Sequence, residues 1–254
     1  MRSLKAKKIL IFGVANDKSL AWHIAKDLKS WGAELAFNYL NEKMEKRVRP
    51  LAESVDAEII LPCDVSKPEE IQSFFKTIEE KWGKIDGVVH AVAYADREDL
   101  MGRFIDTSKE GFLKAMEISA YSLVEVVKHA EPMMKDGGSI VTLSYQGAVR
   151  VVPNYNVMGV AKAALEATVR YMASDLGPQK ITVNSISAGP IKTLSAAGIR
   201  DFRSMLSEAE EKVPMRENIS GESVGSLASF LLSSEAKHVT GTTMYVDSGA
   251  NIMA

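Results

Sequence analysis

Short runs rich in Val, Ile and Leu recur along the chain, each followed by a longer stretch whose apolar residues fall three and four apart. The runs occupy 8–12, 34–39, 58–61, 87–92, 139–143 and 182–186, and the stretches between them include 21–31, 71–78, 112–134 and 155–176. A run that is apolar on successive residues is buried on both of its faces, and the amphipathic stretches supply the cover. Leu20, Ile24 and Leu28 form one apolar stripe; Ile71, Phe74, Phe75 and Ile78 form another. The pattern predicts an α/β fold, a doubly wound parallel sheet with helices on both faces.

No Pro/Gly/Ser-rich linker, low-complexity tract or internal repeat divides the 254 residues, so one domain spanning 1–254 is expected. The least regular stretch is about 192–215, just after Ser187-Ala-Gly-Pro190, where apolar and charged residues mix. A mobile helical cover over a ligand site is expected there, with an ordinary surface helix pair as the alternative. The formal net charge of −2 lacks the basic excess of a chain devoted to nucleic acid. A single cysteine, Cys63, excludes an intrachain disulfide framework and cysteine-based metal clusters, and it suits a reducing cytoplasm. His23, His90, His129 and His238 show no ligand spacing, so no metal is expected. The amino-terminal apolar run leads straight into Gly13 and is too short for a secretory core, and no run approaches the ~20 apolar residues of a membrane helix. A cytoplasmic chain without a membrane partner is the expectation.

The first strand ends in Gly13-Val-Ala-Asn-Asp-Lys-Ser-Leu-Ala21 and feeds a helix, with Ser19 or Asp17 available as its cap. In a parallel sheet this turn aims backbone N–H groups and the positive end of a helix at the strand's carboxyl edge, which suits a pyrophosphate. The G-x-G-x-x-G fingerprint is absent, because Ala15 and Lys18 stand where glycines would, and a plain capped helix explains the stretch as well. The second strand ends Phe37-Asn-Tyr-Leu-Asn41, with neither an acid for a ribose 2′-hydroxyl nor an arginine for a 2′-phosphate; Glu42, Lys43, Lys46 and Arg47 follow. Cys63-Asp64-Val65 and Ala91-Val-Ala93 also fall at the carboxyl edge. Asp64 there can accept from an adenine amino group or simply form a turn.

The richest stretch is Leu143-Ser-Tyr145-Gln-Gly, then Pro153-Asn-Tyr155-Asn-Val-Met-Gly-Val-Ala-Lys162. Seven residues are nearly two helical turns, so Tyr155 and Lys162 leave almost the same face with about 10 Å of axial rise between them. A lysine ammonium there can hold a nicotinamide ribose while a phenol donates to a reacting carbonyl oxygen. The plainer account is a surface tyrosine and a solvated lysine that share a helix face. Most of the twelve methionines are expected to fill the core, with Met158 and Met205 as candidates to line an acyl pocket.

Taken together, these stretches, with Ser19-Leu-Ala-Trp22, Asn184-Ser-Ile-Ser-Ala-Gly-Pro-Ile-Lys-Thr193 and Val246-Asp-Ser-Gly249, resemble the bacterial NAD(P)H-dependent enoyl-acyl-carrier-protein reductases over nearly the whole length. These are divergent short-chain dehydrogenase/reductases with a Rossmann-like fold. Common members of that wider group set Tyr and Lys four apart, but position 159 is Gly here; the Tyr39-to-Lys43 match lies away from the catalytic helix. The resemblance implies reduction of a trans-2-enoyl thioester in fatty acid elongation with NADH, NADPH being the alternative cofactor. It implies Tyr145, Tyr155 and Lys162 as the catalytic group. Cofactor contacts would come from Gly13, Ala15, Ser19, Leu20, Asp64, Val65, Ala93, Lys162, Ile191 and Thr193. Ala95, Tyr145, Tyr155, Met158, Ala196, Ile199, Phe202 and Met205 would surround the substrate, and Arg200 and Arg203 would meet an acidic carrier protein. A homotetramer is implied too. The chain departs from the commonest pattern at Leu40, Ala91, Ala93 and Gln146. Two other functions compete: a carbonyl-reducing enzyme on the same fold, and a non-catalytic dinucleotide sensor.

Overall fold

The computed structural model describes residues 3–191 and 210–253. Among them, seven parallel strands form one sheet: β1 (Lys8–Phe12), β2 (Glu34–Tyr39), β3 (Ile59–Pro62), β4 (Gly87–His90), β5 (Gly138–Ser144), β6 (Ile181–Ala188) and β7 (Thr243–Val246). Their order is β3-β2-β1-β4-β5-β6-β7, so the winding reverses between β1 and β4. In such sheets the crevice beyond the carboxyl ends at the reversal is where ligands bind.

Helices among the described residues include α1 (Leu20–Ser30), α2 (Glu42–Glu53), α3 (Pro68–Trp82), α4 (Lys109–Met116), α5 (Ser122–Ala130), α6 (Asn156–Leu176) and α7 (Gly221–Leu231). Strands β1 to β6 each serve two cores. Leu10, Phe12 and Val88 pack on one side with Phe74, Phe75, Leu123 and Leu165 from α3, α5 and α6. Ile9, Ile11 and Val89 pack on the other with Ile24, Leu28 and Leu231 from α1 and α7. The expected two-faced burial is therefore the observed one.

Three features depart from the periodicity. Helix α2 is missing from the expected stretches: Met44, Val48, Leu51 and Ala52 share one face, but seven of its other eight residues are charged and only Val48 and Ala52 are buried; Asn41 caps it through Met44 N–H at 3.1 Å. Strand β7 is an edge strand without a buried run. The stretch 112–134 is not one helix: a π-helical turn, Glu117–Tyr121, joins α4 to α5, and a 3-10 turn over Glu131–Met133 ends it.

Candidate active site

At the end of β1 the backbone turns through Gly13 at φ +101, a region that side chains disfavour. A Cβ there would lie 2.2 Å from the Ala91 carbonyl oxygen beyond β4, so only glycine allows the two strand ends to approach this closely. The Gly13 N–H donates to Asn38 Oδ1 at 3.2 Å, and Asn38 Nδ2 donates to the Cys63 carbonyl at 2.9 Å. Buried Asn38 thus ties the ends of β1, β2 and β3 together. Its signal in the sequence is a lone amide inside an apolar strand.

Ser19 sits at the cap position of α1, yet its hydroxyl accepts from the N–H groups of Ala15 and Asn16, each at 3.0 Å, instead of capping the helix that Leu20 begins. The expectation that Ser19 or Asp17 caps this helix is corrected: the hydroxyl closes the turn behind the helix. Helices α2, α4 and α7 carry both a side-chain cap and an acidic first turn, and α3 and α5 carry an acidic first turn. Among the described α-helices, α1 and α6 have neither. Their positive ends remain for an anion or a polar ligand. The residues around Gly13 thus fit a dinucleotide pyrophosphate, through a cradle that a Cβ would fill and an uncapped helix beside it.

Asp64 Oδ1 accepts from Ser66 N–H and Oγ–H at 3.0 and 2.7 Å, so it shapes the turn after β3, and its own N–H donates to Glu70 Oε2 at 2.8 Å. Val65 is buried beside it. Beyond β4, Ala93 is exposed and Ala95 half-buried. The loop between them is gripped by Ser119 of the π turn, whose hydroxyl accepts from Tyr94 N–H and donates to the Tyr94 carbonyl, both at 2.9 Å. Ser122, three residues on, meets His90 Nε2 at 2.9 Å. The π turn grips the loop after β4 and the first residue of α5 meets the end of the strand; no periodicity in the sequence announces the π turn.

Tyr155 occupies the residue just before α6, without capping it, and lies between two residues of positive φ, Asn154 at 60° and Asn156 at 34°. Asn tolerates this region better than most side chains, so Asn-Tyr-Asn is the local signal for this strained turn. The rings of Tyr145 and Tyr155 meet edge to face with centroids 4.9 Å apart. Gln146 Nε2 donates to the Tyr145 hydroxyl at 3.3 Å. Lys162 is buried at 6% exposure, and its Nζ donates to the Leu143 carbonyl of β5 at 2.7 Å. The alternative of a solvated lysine is therefore excluded. A Cβ on Gly159 would sit 2.8 Å from the Gly147 carbonyl, so this glycine lets the head of α6 seat against the turn after β5.

Burial raises the Tyr155 phenol well above its ordinary range, with Tyr145 adding to the rise. Burial also raises Tyr145, against the hydrogen bond from Gln146. Both phenols stay protonated donors at neutral pH. Burial pulls Lys162 down to about 8, opposed by the charge of Glu166. His90 falls to about 3 through burial and the Lys162 charge, so its ring is neutral.

The fold brings Gly13, Ala15, Ser19 and Leu20 to the end of β1, and Tyr145, Tyr155, Met158 and Lys162 to the end of β5 and the head of α6, along one sheet edge. Met158 is buried, and Ile191 follows Pro190 beyond β6. Thr193, Ala196, Ile199, Phe202 and Met205, with Arg200 and Arg203, lie outside the described residues. So does most of the expected cover over 192–215; of its last residues, Val213 is buried and Pro214 packs on Gly249. No group of His, Cys, Asp and Glu able to hold a metal occurs among the described residues.

A crevice of this make-up, at the reversal of a doubly wound sheet, is that of the dinucleotide-binding oxidoreductases. Residues 13–251 match the family described as enoyl-(acyl carrier protein) reductase. The NADH enoyl-[acyl-carrier-protein] reductase FabI of Bacillus subtilis is 52% identical, covering 99% of this chain and 98% of that protein. Its namesake from Bacillus cereus is 51% identical over the full length of both. The crystal structure of a B. cereus enoyl-acyl carrier protein reductase with NADP+ and indole naphthyridinone superposes with a TM-score of 0.98 at 50% identity, covering all of both chains. An enzyme of the same kind from Anaplasma phagocytophilum, in complex with NAD, gives 0.96 at 51% identity, covering 99% of this chain and 96% of that one. The chain belongs to the enoyl-acyl-carrier-protein reductase family.

Proposed function

We propose that the protein reduces the carbon–carbon double bond of trans-2-enoyl thioesters carried by acyl carrier protein, with NADH as the reductant. The observation that carries this reading is the phenol and the buried ammonium set seven residues apart at the head of α6, with Gly159 between them. The names of the relatives at about half identity support NADH over NADPH, and no cation stands in Leu40-Asn41 to favour a 2′-phosphate.

In this reading Gly13, Ala15, Ser19 and Leu20 hold the pyrophosphate at the uncapped end of α1. Asp64 and Val65 border the adenine. Ala93 and Ile191 would hold the nicotinamide, with Thr193 joining them by family resemblance alone, and Lys162 would hold its ribose. When bound, reduced nicotinamide would supply hydride to the β-carbon of the enoyl thioester, and the negative charge gathered on the thioester oxygen would be discharged when the α-carbon takes a proton from water. Tyr155 donates its hydrogen bond to that oxygen. Its raised pKa keeps the proton on the phenol, so it stabilises charge without being consumed. Tyr145 offers a second phenol beside the acyl chain. Ala95 and Met158 would border the acyl chain, and substrate roles for Ala196, Ile199, Phe202 and Met205 rest on the family resemblance alone.

The substrate arrives on acyl carrier protein, and Arg200 and Arg203 are candidates to meet its acidic surface. Exposed Leu113, Tyr121, Val160 and Tyr171 along α4, the π turn and α6 support self-association, in keeping with a homotetramer, which sedimentation would count. No helix among the described residues is long and apolar enough to cross a membrane; a cytoplasmic location and a single catalytic domain are proposed from the family resemblance.

The test follows the reduced-nicotinamide absorbance with a crotonyl thioester and, in parallel, a β-ketoacyl thioester, each with NADH and NADPH. Turnover of the enoyl substrate with NADH is expected. Turnover of the keto substrate alone would make the protein a carbonyl reductase. Tight NADH binding with no turnover would make it a sensor.

A further inference from the structure

One face of α6 carries Tyr155, Gly159, Lys162 and Glu166 at intervals of four, three and four residues. The stripe runs from the mouth of the crevice into the core. Lys162 and Glu166 are both buried, at 6% and 8% exposure, one turn or about 6 Å of rise apart. Two consecutive residues at the end of β5 hold them. The Leu143 carbonyl accepts from Lys162 Nζ at 2.7 Å, and the buried Ser144 hydroxyl donates to Glu166 Oε1 at 2.5 Å.

A buried carboxylate is costly unless something opposite in charge answers it. Among the described residues, α4, the π turn and residues 97–100 also pack on α6 and carry Glu98, Asp99, Lys109, Glu110, Lys114 and Glu117; the set coupled to Lys162 or sharing its stripe is His90 from β4, Tyr145 against Tyr155, and Tyr155 and Glu166. The Arg170 guanidinium, a turn further on, donates to the Glu166 backbone carbonyl at 3.1 Å. The imidazole and both phenols are neutral at pH 7. Glu166 is the member of this set that supplies negative charge.

We propose that Glu166, held by Ser144, is a positioning residue whose carboxylate keeps the Lys162 ammonium protonated inside the protein and so preserves its hold on the dinucleotide ribose; this rests on the role of Lys162 given above. Burial works against that cation and Glu166 works for it. A cation favoured by a partner is present below its pKa and lost as pH rises through it. Without Glu166 the loss comes at lower pH.

The test is a titration of the cofactor-free protein by NMR, with isotope at the lysine Cε and Lys162→Met identifying the resonance. The unaltered protein should titrate near 8. Glu166→Gln keeps an oxygen for the Ser144 hydroxyl and removes only the charge, and it should titrate about one pH unit lower. The alkaline limb of kcat/KM for enoyl thioester reduction should move by the same amount, a shift that loss of packing alone would not produce. If the amide variant does not fold, Glu166→Met fills similar volume without charge and is read in the same way. Coincident titrations of variant and unaltered protein overturn the proposal. If Lys162→Met binds NADH as tightly as the unaltered protein, the assignment of the lysine to the ribose fails separately, and the NMR shift still decides whether Glu166 sets its protonation.

Discussion

Gly159→Ala sets two opposed effects against each other at the point where the spacing of this site departs from the commoner Tyr-x-x-x-Lys arrangement. Alanine in a helix interior is worth about 1 kcal/mol over glycine, so propensity alone predicts a more stable protein. The new methyl group, however, would lie 2.8 Å from the Gly147 carbonyl oxygen. Ordinary contact begins at 3.4 Å, so the turn after β5 must retreat by 0.6 Å, the difference of the two. Overpacking against backbone costs about 1 to 3 kcal/mol, which leaves a net loss of roughly 0 to 2 kcal/mol. At about 2 to 4 °C per kcal/mol for a chain of this size, the melting temperature should fall by roughly 0 to 8 °C. Activity should suffer more than stability. Gly147 already lies so close to the Tyr155 ring that a Cβ there would come within 2.5 Å of it. A shifted turn therefore carries Tyr155 and Tyr145 with it. Misplacement by ~1 Å can cost a hundredfold, so a fall of about tenfold or more in kcat/KM is expected, read from enoyl thioester reduction alongside thermal melting. A variant that melts several degrees higher with unchanged kcat/KM would refute the reasoning, because it would mean the Gly147 carbonyl yields freely.

Tyr155→Phe should lower kcat/KM by about a hundredfold to a thousandfold while NADH titration and melting stay near those of the unaltered protein, the signature of one lost donor to a developing oxyanion; Tyr145→Phe should cost less, and the reverse order would exchange the two roles. Gly13→Ala forces a side chain into φ +101 and 2.2 Å from the Ala91 carbonyl, which should destabilise the fold by about 2 to 6 kcal/mol and abolish NADH fluorescence enhancement; retained affinity would count against the pyrophosphate cradle. His90, held neutral with its pKa down to about 3 from 6.5, binds a proton more readily in the unfolded chain, so stability should drain away as pH falls below 6.5. The loss reaches about 2 kcal/mol at pH 5, which is 1.5 pH units at ~1.36 kcal/mol each. Chemical denaturation should show that slope shrinking in His90→Asn, and parallel curves would assign the pH dependence elsewhere.

Much of the fold was legible because burial on both faces leaves its mark on every residue of a strand. Runs such as Lys8–Phe12 and Glu34–Tyr39 carry it at their observed bounds. Where burial is slight the mark fades, as in α2 and β7. The π turn was invisible for another reason: Ser119 within it, and Ser122 just after it at the start of α5, read as ordinary helix residues until Tyr94 and His90 come to meet them. At the site, Tyr155 and Lys162 could be paired by counting residues, whereas Asn38, Ser144 and Glu166 matter through partners on other elements.

By itself the sequence determined which segments extend, which coil, and that a phenol and an amine two turns apart leave one helix face, because these follow from local periodicity and chain geometry. Only the tertiary structure decided that Gly13 lies against Ala91, that Asn38 joins three strand ends, and that the Ser19 hydroxyl turns away from its helix. It also decided the charge of the groups that matter. A lysine poised near pH 8 and a histidine held neutral are consequences of lost water and of neighbours brought in from distant parts of the chain, and no count along the sequence contains the dielectric in which a side chain ends up.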